Sequence, residues 1–138
     1  MAVVIRAKNE ARFIGDTLAA IFQPGALLPR QVVVVDSGST DGTQDIVRSF
    51  PTTLIQIKPE HFTYGYALNL GIANVEADIV ASLSAHSLPA DVDWLRNLLV
   101  PFRQPTVAAV YGRQLPRENA TPLELMGMRL TGLLSDQP

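Results

Sequence analysis

No cysteine occurs anywhere in this chain, so neither a disulfide nor a thiolate metal site can contribute to its fold or its chemistry. That absence is compatible with a reducing compartment. No apolar run approaches the ~20 residues needed to span a bilayer, and the N-terminus lacks the charged and apolar regions of a signal peptide. Basic tracts and clustered aromatics are missing too. Eleven Lys and Arg stand against thirteen Asp and Glu for a formal net charge of −2, which argues against nucleic acid as a partner. These absences lead to the expectation of a soluble, cytoplasmic protein. What remains is 138 residues, 47% of them hydrophobic, enough for one domain with a sizeable core.

The most informative stretch is Val32-Val33-Val34-Val35-Asp36-Ser37-Gly38-Ser39-Thr40-Asp41-Gly42-Thr43. Four β-branched residues in a row suit a strand covered on both faces, and ligands of open α/β sheets bind beyond the carboxyl ends of such strands. Asp36 stands at that edge, and Gly38 and Gly42 permit positive φ in the turn that follows. Around this stretch, strands and helices alternate. Val3 to Ile5 reads as a first strand, Ala11 to Phe22 as a helix stopped by Pro24 and Gly25, and Leu54 to Ile57 as a third strand. Asp41 or Thr43 would cap a short second helix. A third helix from Thr63 would place Tyr64, Leu68, Ile72 and Val75 on one stripe. Ile79 to Leu83 follows as a strand, then a helix with Leu95, Leu98, Leu99 and Phe102 at helical spacing, a fifth strand at Val107 to Tyr111, and a last helix from Pro122 carrying Leu123, Met126, Leu130, Leu133 and Leu134. Repeated βα units predict an α/β fold, a mostly parallel sheet flanked by helices.

Several α/β chemistries fail on single residues. The turn after the first strand, Arg6-Ala7-Lys8-Asn9-Glu10, lacks the G-x-G-x-x-G of a dinucleotide site, and Gly38 to Thr43 lacks the lysine of a P-loop. Thr40-Asp41-Gly42-Thr43 looks like half of an aspartyl-phosphate hydrolase motif, but its nucleophile position is Ser39, which cannot form an acyl phosphate.

Four segments together resemble the N-terminal half of a family-2 glycosyltransferase with the Rossmann-like GT-A fold. They are Arg6 to Glu10, Val32 to Thr43, His61 to Ile72 with Gly65 and Asn69, and Asp78 to Pro89. The resemblance implies transfer of a sugar from a nucleoside diphosphate sugar to an acceptor hydroxyl, with inversion in one displacement. It implies Asp36 as the acceptor for a base N–H, Ala7 offering its backbone to the same base, and Asn9 or Glu10 reaching the ribose. Ser37, Gly38, Asp41, Gly65, Asn69 and Ser84 join the nucleotide-sugar site by the same match, although Asp41 reads equally well as a cap. Arg6, Lys8 and Arg113 are candidate diphosphate partners.

The departure lies at the metal. The family's Asp-x-Asp falls on Ser84-Ala85-His86, so both carboxylates are missing. His86 could ligate Mn²⁺ and suits Mg²⁺ less well. The family's catalytic base is an aspartate in the acceptor-binding half, and no residue of this chain takes that place, so the expectation for residues 1–138 is a single donor-binding domain of a larger enzyme. The alternative is a noncatalytic nucleotide or nucleotide-sugar binding module. The acceptor, a glycan or a lipid-linked sugar, is not identified by the sequence, and the apolar stripe of the last helix would favour a homodimer.

Overall fold

A computed structural model describes residues 1–116 and 120–130. Two compact units divide the chain, Met1–Val92 and the remainder from Asp93. The first holds a sheet of four parallel strands, β1 (Ala2–Ala7), β2 (Gln31–Asp36), β3 (Thr53–Gln56) and β4 (Val80–Ser84), in the order β3-β2-β1-β4. The two central strands are the ones built from uninterrupted aliphatic runs, and Val3, Val4, Ile5, Val33, Val34 and Val35 are all buried. A parallel strand covered on both faces has no polar side to write into its sequence.

The helices of this unit are α1 (Ile14–Ile21), α2 (Thr43–Arg48) and α3 (Tyr64–Ala73), with a short 3-10 turn at Pro59–His61. Ile14, Leu18 and Ile21 bury one face of α1, and Phe22 stacks on Phe50 with ring centroids 6.2 Å apart. Residues 11–13, read as the start of that helix, form a turn instead. In α3 the buried residues are Ala67 and Gly71, whereas Tyr64 and Ile72 of the expected stripe are exposed. Small residues let the helix lie close to the sheet. A Cβ on Gly71 would come 2.3 Å from Val4 Cγ1 and 3.2 Å from Val35 Cγ2. Val4, Val33, Val35 and Ala67 form the core on this side, with Ile55, Ile57, Phe62, Leu68 and Leu70 packed around it.

The second unit holds α4 (Trp94–Leu99) and α5 (Pro122–Leu130). Leu95 is fully buried and Trp94 half-buried. Val107 to Tyr111 is not the expected fifth strand: no ladder partner meets it among the described residues, and Tyr111 is 86% exposed. Strand-forming composition yields a strand only where the segment pairs with a neighbour. Pro122 opens α5 as expected, with Leu123, Met126 and Leu130 exposed, while Leu133 and Leu134 lie outside the described residues.

Candidate functional site

The strand order turns back at β1: the chain steps outward from β1 to β2 to β3, then returns to place β4 on the other side of β1. Loops leaving neighbouring strands diverge at such a switch point and open a crevice at their carboxyl ends. A pocket of about 250 Å³ lies there. Arg6, Ala7, Lys8 and Glu10 reach it from β1, Ser37 from β2, Ser84 and His86 from β4, and Phe62 and Tyr64 from the segment that opens α3.

The loops after β1 and β2 are joined by hydrogen bonds. Asn9 N–H donates to Ser39 Oγ at 2.8 Å, Glu10 N–H to Thr43 Oγ1 at 2.8 Å, Ala11 N–H to Asp41 Oδ2 at 2.9 Å, and Thr40 N–H to Asn9 Oδ1 at 2.9 Å. These four bonds seam the loop after β1 to the loop after β2. Asn9 adopts φ 53°, a left-handed conformation that asparagine tolerates better than most residues. Asp41 does not line the pocket, and Gly42, not Asp41 or Thr43, is the N-cap of α2; Asp41 Oδ1 accepts from Thr43 N–H and Oγ1 at 3.1 and 2.6 Å. The Thr43 hydroxyl first, and the Ala11 N–H after it, hold the Asp41 carboxyl below its ordinary range.

Asp36 closes β2 at its carboxyl end, as expected. Its side chain is fully buried and does not line the pocket. One carboxylate oxygen accepts from Gly38 N–H at 3.1 Å, Ser39 N–H at 3.0 Å and Gln44 Nε2 at 2.7 Å, and the other accepts from Ser39 Oγ. With both oxygens engaged by the turn that follows and by Gln44 of α2, Asp36 shapes the loop. Gly38 serves the same turn. It has φ 81°, and a Cβ there would meet Pro59 Cγ at 2.7 Å. Ser37, the next residue, lines the pocket while its N–H and Oγ donate to Ala7 O at 3.0 and 3.2 Å. Gly65 and Asn69 are exposed on α3 and do not line the pocket.

On the other side of β1, Ser84 and His86 both line the pocket, and Ala85 between them is buried, its N–H donating to Arg6 O and its carbonyl accepting from Thr17 Oγ1. His86 Nδ1 lies 2.9 Å from Glu10 Oε1. Phe62 and Tyr64 are lining residues that sequence reasoning missed, because Tyr64 fits a helical core stripe. The available signal was Thr63, whose Oγ1 accepts from Tyr66 N–H at 3.0 Å and so starts the helix with Tyr64 as its first, outward residue.

Among the described residues no three His, Asp or Glu side chains come together as a metal site. The donor set at the pocket is one imidazole backed by one carboxylate. That does not fit an ion held by protein ligands alone; it fits an ion completed by oxygens of a bound ligand, with Glu10 orienting the histidine from behind.

Similarities to known proteins converge on this arrangement. The chain is 33% identical over 125 residues to the O-antigen chain rhamnosyltransferase RfbN of Salmonella typhimurium, a match covering 89% of this chain and 40% of that protein. The chain thus spans about two fifths of that relative's length. Among solved structures, the mannosyltransferase PcManGT from Pyrobaculum calidifontis, in complex with GDP-Man and Mn²⁺, superposes with a TM-score of 0.72 at 32% identity, covering 85% of this chain and 36% of that one. Glucosyl-3-phosphoglycerate synthase from Mycobacterium tuberculosis, with Mn²⁺, UDP and glucosyl-3-phosphoglycerate, gives 0.62 at 25% identity over 73% of this chain and 38% of its own. Residues 2–131 match the profile of glycosyl transferase family 2. A parallel sheet with its pocket at the switch point, and a profile match running from β1 through α5, place this chain in glycosyl transferase family 2.

Proposed function

We propose that this chain forms the donor-binding part of an inverting glycosyltransferase, which holds a nucleoside diphosphate sugar while its sugar passes to an acceptor hydroxyl. The observation that carries the reading is the position of the pocket, at the carboxyl ends of β1, β2 and β4 where the strand order turns back. The base rests against Ala7 and Ser37, and the ribose lies within reach of Asn9 and Glu10. The diphosphate faces Ser84 and His86. Gly38 and Asp41 hold the loops that border the base, and Asp36 acts through the turn it builds. Gly65 and Asn69 contribute through α3 and not through contact. The rhamnosyltransferase and GDP-Man relatives support a hexose or deoxyhexose donor and a product in cell-surface polysaccharide.

Displacement at the anomeric carbon leaves negative charge on the departing diphosphate, and groups already aimed at that charge lower the barrier without reorganising. A bound divalent ion would neutralise part of it. His86 would be the protein ligand for that ion, with Nε2 as the ligating atom because Nδ1 faces Glu10, a donor better suited to Mn²⁺ than to Mg²⁺. A general base within reach of the acceptor hydroxyl completes the reaction, and no residue described here is assigned to it.

Calorimetric titration with UDP, GDP and dTDP, each with and without Mn²⁺, tests the reading. Saturable binding of one of them, weakened in Ser37→Ala and stripped of its Mn²⁺ enhancement in His86→Ala, is the expected result. No binding by any of the three would overturn the donor site. A noncatalytic binding module is the second reading, favoured by the lack of carboxylates in Ser84-Ala85-His86. Binding indifferent to Mn²⁺ in both proteins would support it.

A further inference from the structure

Arg6 is the last but one residue of β1, paired in register with Val35 on one side and Ser84 on the other. Its guanidinium carbon sits 4.9 Å from the centroid of the Tyr64 ring, and Tyr64 itself packs edge-on against Phe62 with centroids 5.2 Å apart. Its Nε is buried and has no hydrogen-bond partner. No carboxylate lies within ion-pair distance of Arg6 among the described residues, although Glu10 stands on the same pocket wall, paired with His86. A buried donor left without an acceptor is costly and rare in folded proteins. Arginine is suited to phosphate because its planar fork presents several donors at once, and an aromatic face can hold that fork in place without competing for its hydrogen bonds.

We propose that Arg6 is the diphosphate-binding cation of this site, presented by Tyr64 as a positioning residue. The proposal rests on the donor-site reading above and adds to it a permanent positive charge from the sheet itself, where Ser84-Ala85-His86 supplies none of the expected carboxylates for a metal. The pocket-lining guanidinium then supplies the donors that the ligand engages. Lys8, two residues on and at the mouth of the same pocket, adds long-range attraction of lesser specificity.

The test uses the 138-residue chain and four ligands: the best-binding nucleoside diphosphate, its nucleoside, inorganic pyrophosphate, and sulfate as a control for general anion attraction. Arg6→Met keeps the apolar stem and removes the orphan donor. It is expected to weaken nucleoside diphosphate and pyrophosphate by tenfold to a hundredfold, the range for a charged hydrogen bond converted to affinity. Nucleoside and sulfate should bind as before, and the melting temperature should be unchanged or higher. Arg6→Lys should recover only part of the affinity. Tyr64→Phe should match wild type and Tyr64→Leu should lose pyrophosphate affinity. Wild-type pyrophosphate affinity in Arg6→Met would overturn the Arg6 assignment and leave the donor site standing. A fall in melting temperature with equal loss of nucleoside and diphosphate would mark Arg6 as structural and overturn it too. If the unaltered chain binds neither nucleoside diphosphate nor pyrophosphate, the donor-site reading falls and the Arg6 proposal with it.

Discussion

At the scale of single residues, the chemistry of this site depends on which polar groups the chain uses for itself. Asp36 takes three donors from the turn that follows it and one from Gln44 of α2, so replacing it removes the acceptor of partly buried groups. Asp36→Asn keeps the shape but sets an NH₂ against a donor. We expect it to cost about 2–3 kcal/mol, read by equilibrium denaturation, with nucleotide affinity falling in parallel; unchanged stability would show that the turn does not need the charge. Here the sequence was legible in position, while the hydrogen bonds of the carboxylate were not. A carboxylate after an aliphatic strand marks the ligand edge of the sheet, but whether it faces the ligand depends on the hydrogen bonds offered by Gly38, Ser39 and Gln44, which no local pattern reveals. Ser37, one position later, is the side chain that reaches the pocket.

Among the secondary-structure elements, α3 joins the core to the pocket. Its buried side is made of Ala67 and Gly71, and its first residue, Tyr64, is left outward beside Arg6. The hydrophobic periodicity of Tyr64, Leu68, Ile72 and Val75 was half right: Leu68 and Val75 pack against the core while Tyr64 and Ile72 are exposed, because close helix-to-sheet packing selects small residues at its centre and small residues carry little hydrophobic signal. Strand β2 was legible because burial on both faces demands an unbroken apolar run. Val107 to Tyr111 was misread because a strand needs a pairing partner as well as a composition. Thr63 caps α3 through Tyr66 N–H. Thr63→Ala is therefore expected to destabilise the chain by about 1 kcal/mol, measured by thermal melting, and to weaken nucleotide binding more than an exposed substitution further along α3, such as Asn69→Ala. Equal binding in the two variants would argue against a role for this helix start in the site.

For the whole molecule, every strand of the sheet and every residue of the pocket fall within Met1–Val92. A chain ending at Val92 is expected to melt cooperatively and to bind the same nucleoside diphosphate within about threefold, an affinity change of less than 1 kcal/mol. Loss of the cooperative transition would show that residues from Asp93 onward, with Leu95 buried among them, complete the core. The α/β class, the place of the crevice and most of the pocket wall could be read from the order of strands and turns, whereas Phe62 and Tyr64 could not, because they arrive from a segment distant in sequence from Arg6. The seam between the two loops bears on how such a site can diverge. Its hydrogen bonds pair residues 9, 10 and 11 with residues 39, 40, 41 and 43, so an insertion in either loop would put donors and acceptors out of register unless the other loop changed length to match. The acceptors are side-chain oxygens of Asn9, Ser39, Asp41 and Thr43, so homologous sites built this way need an oxygen-bearing side chain at those positions and vary in length only where both loops do so together.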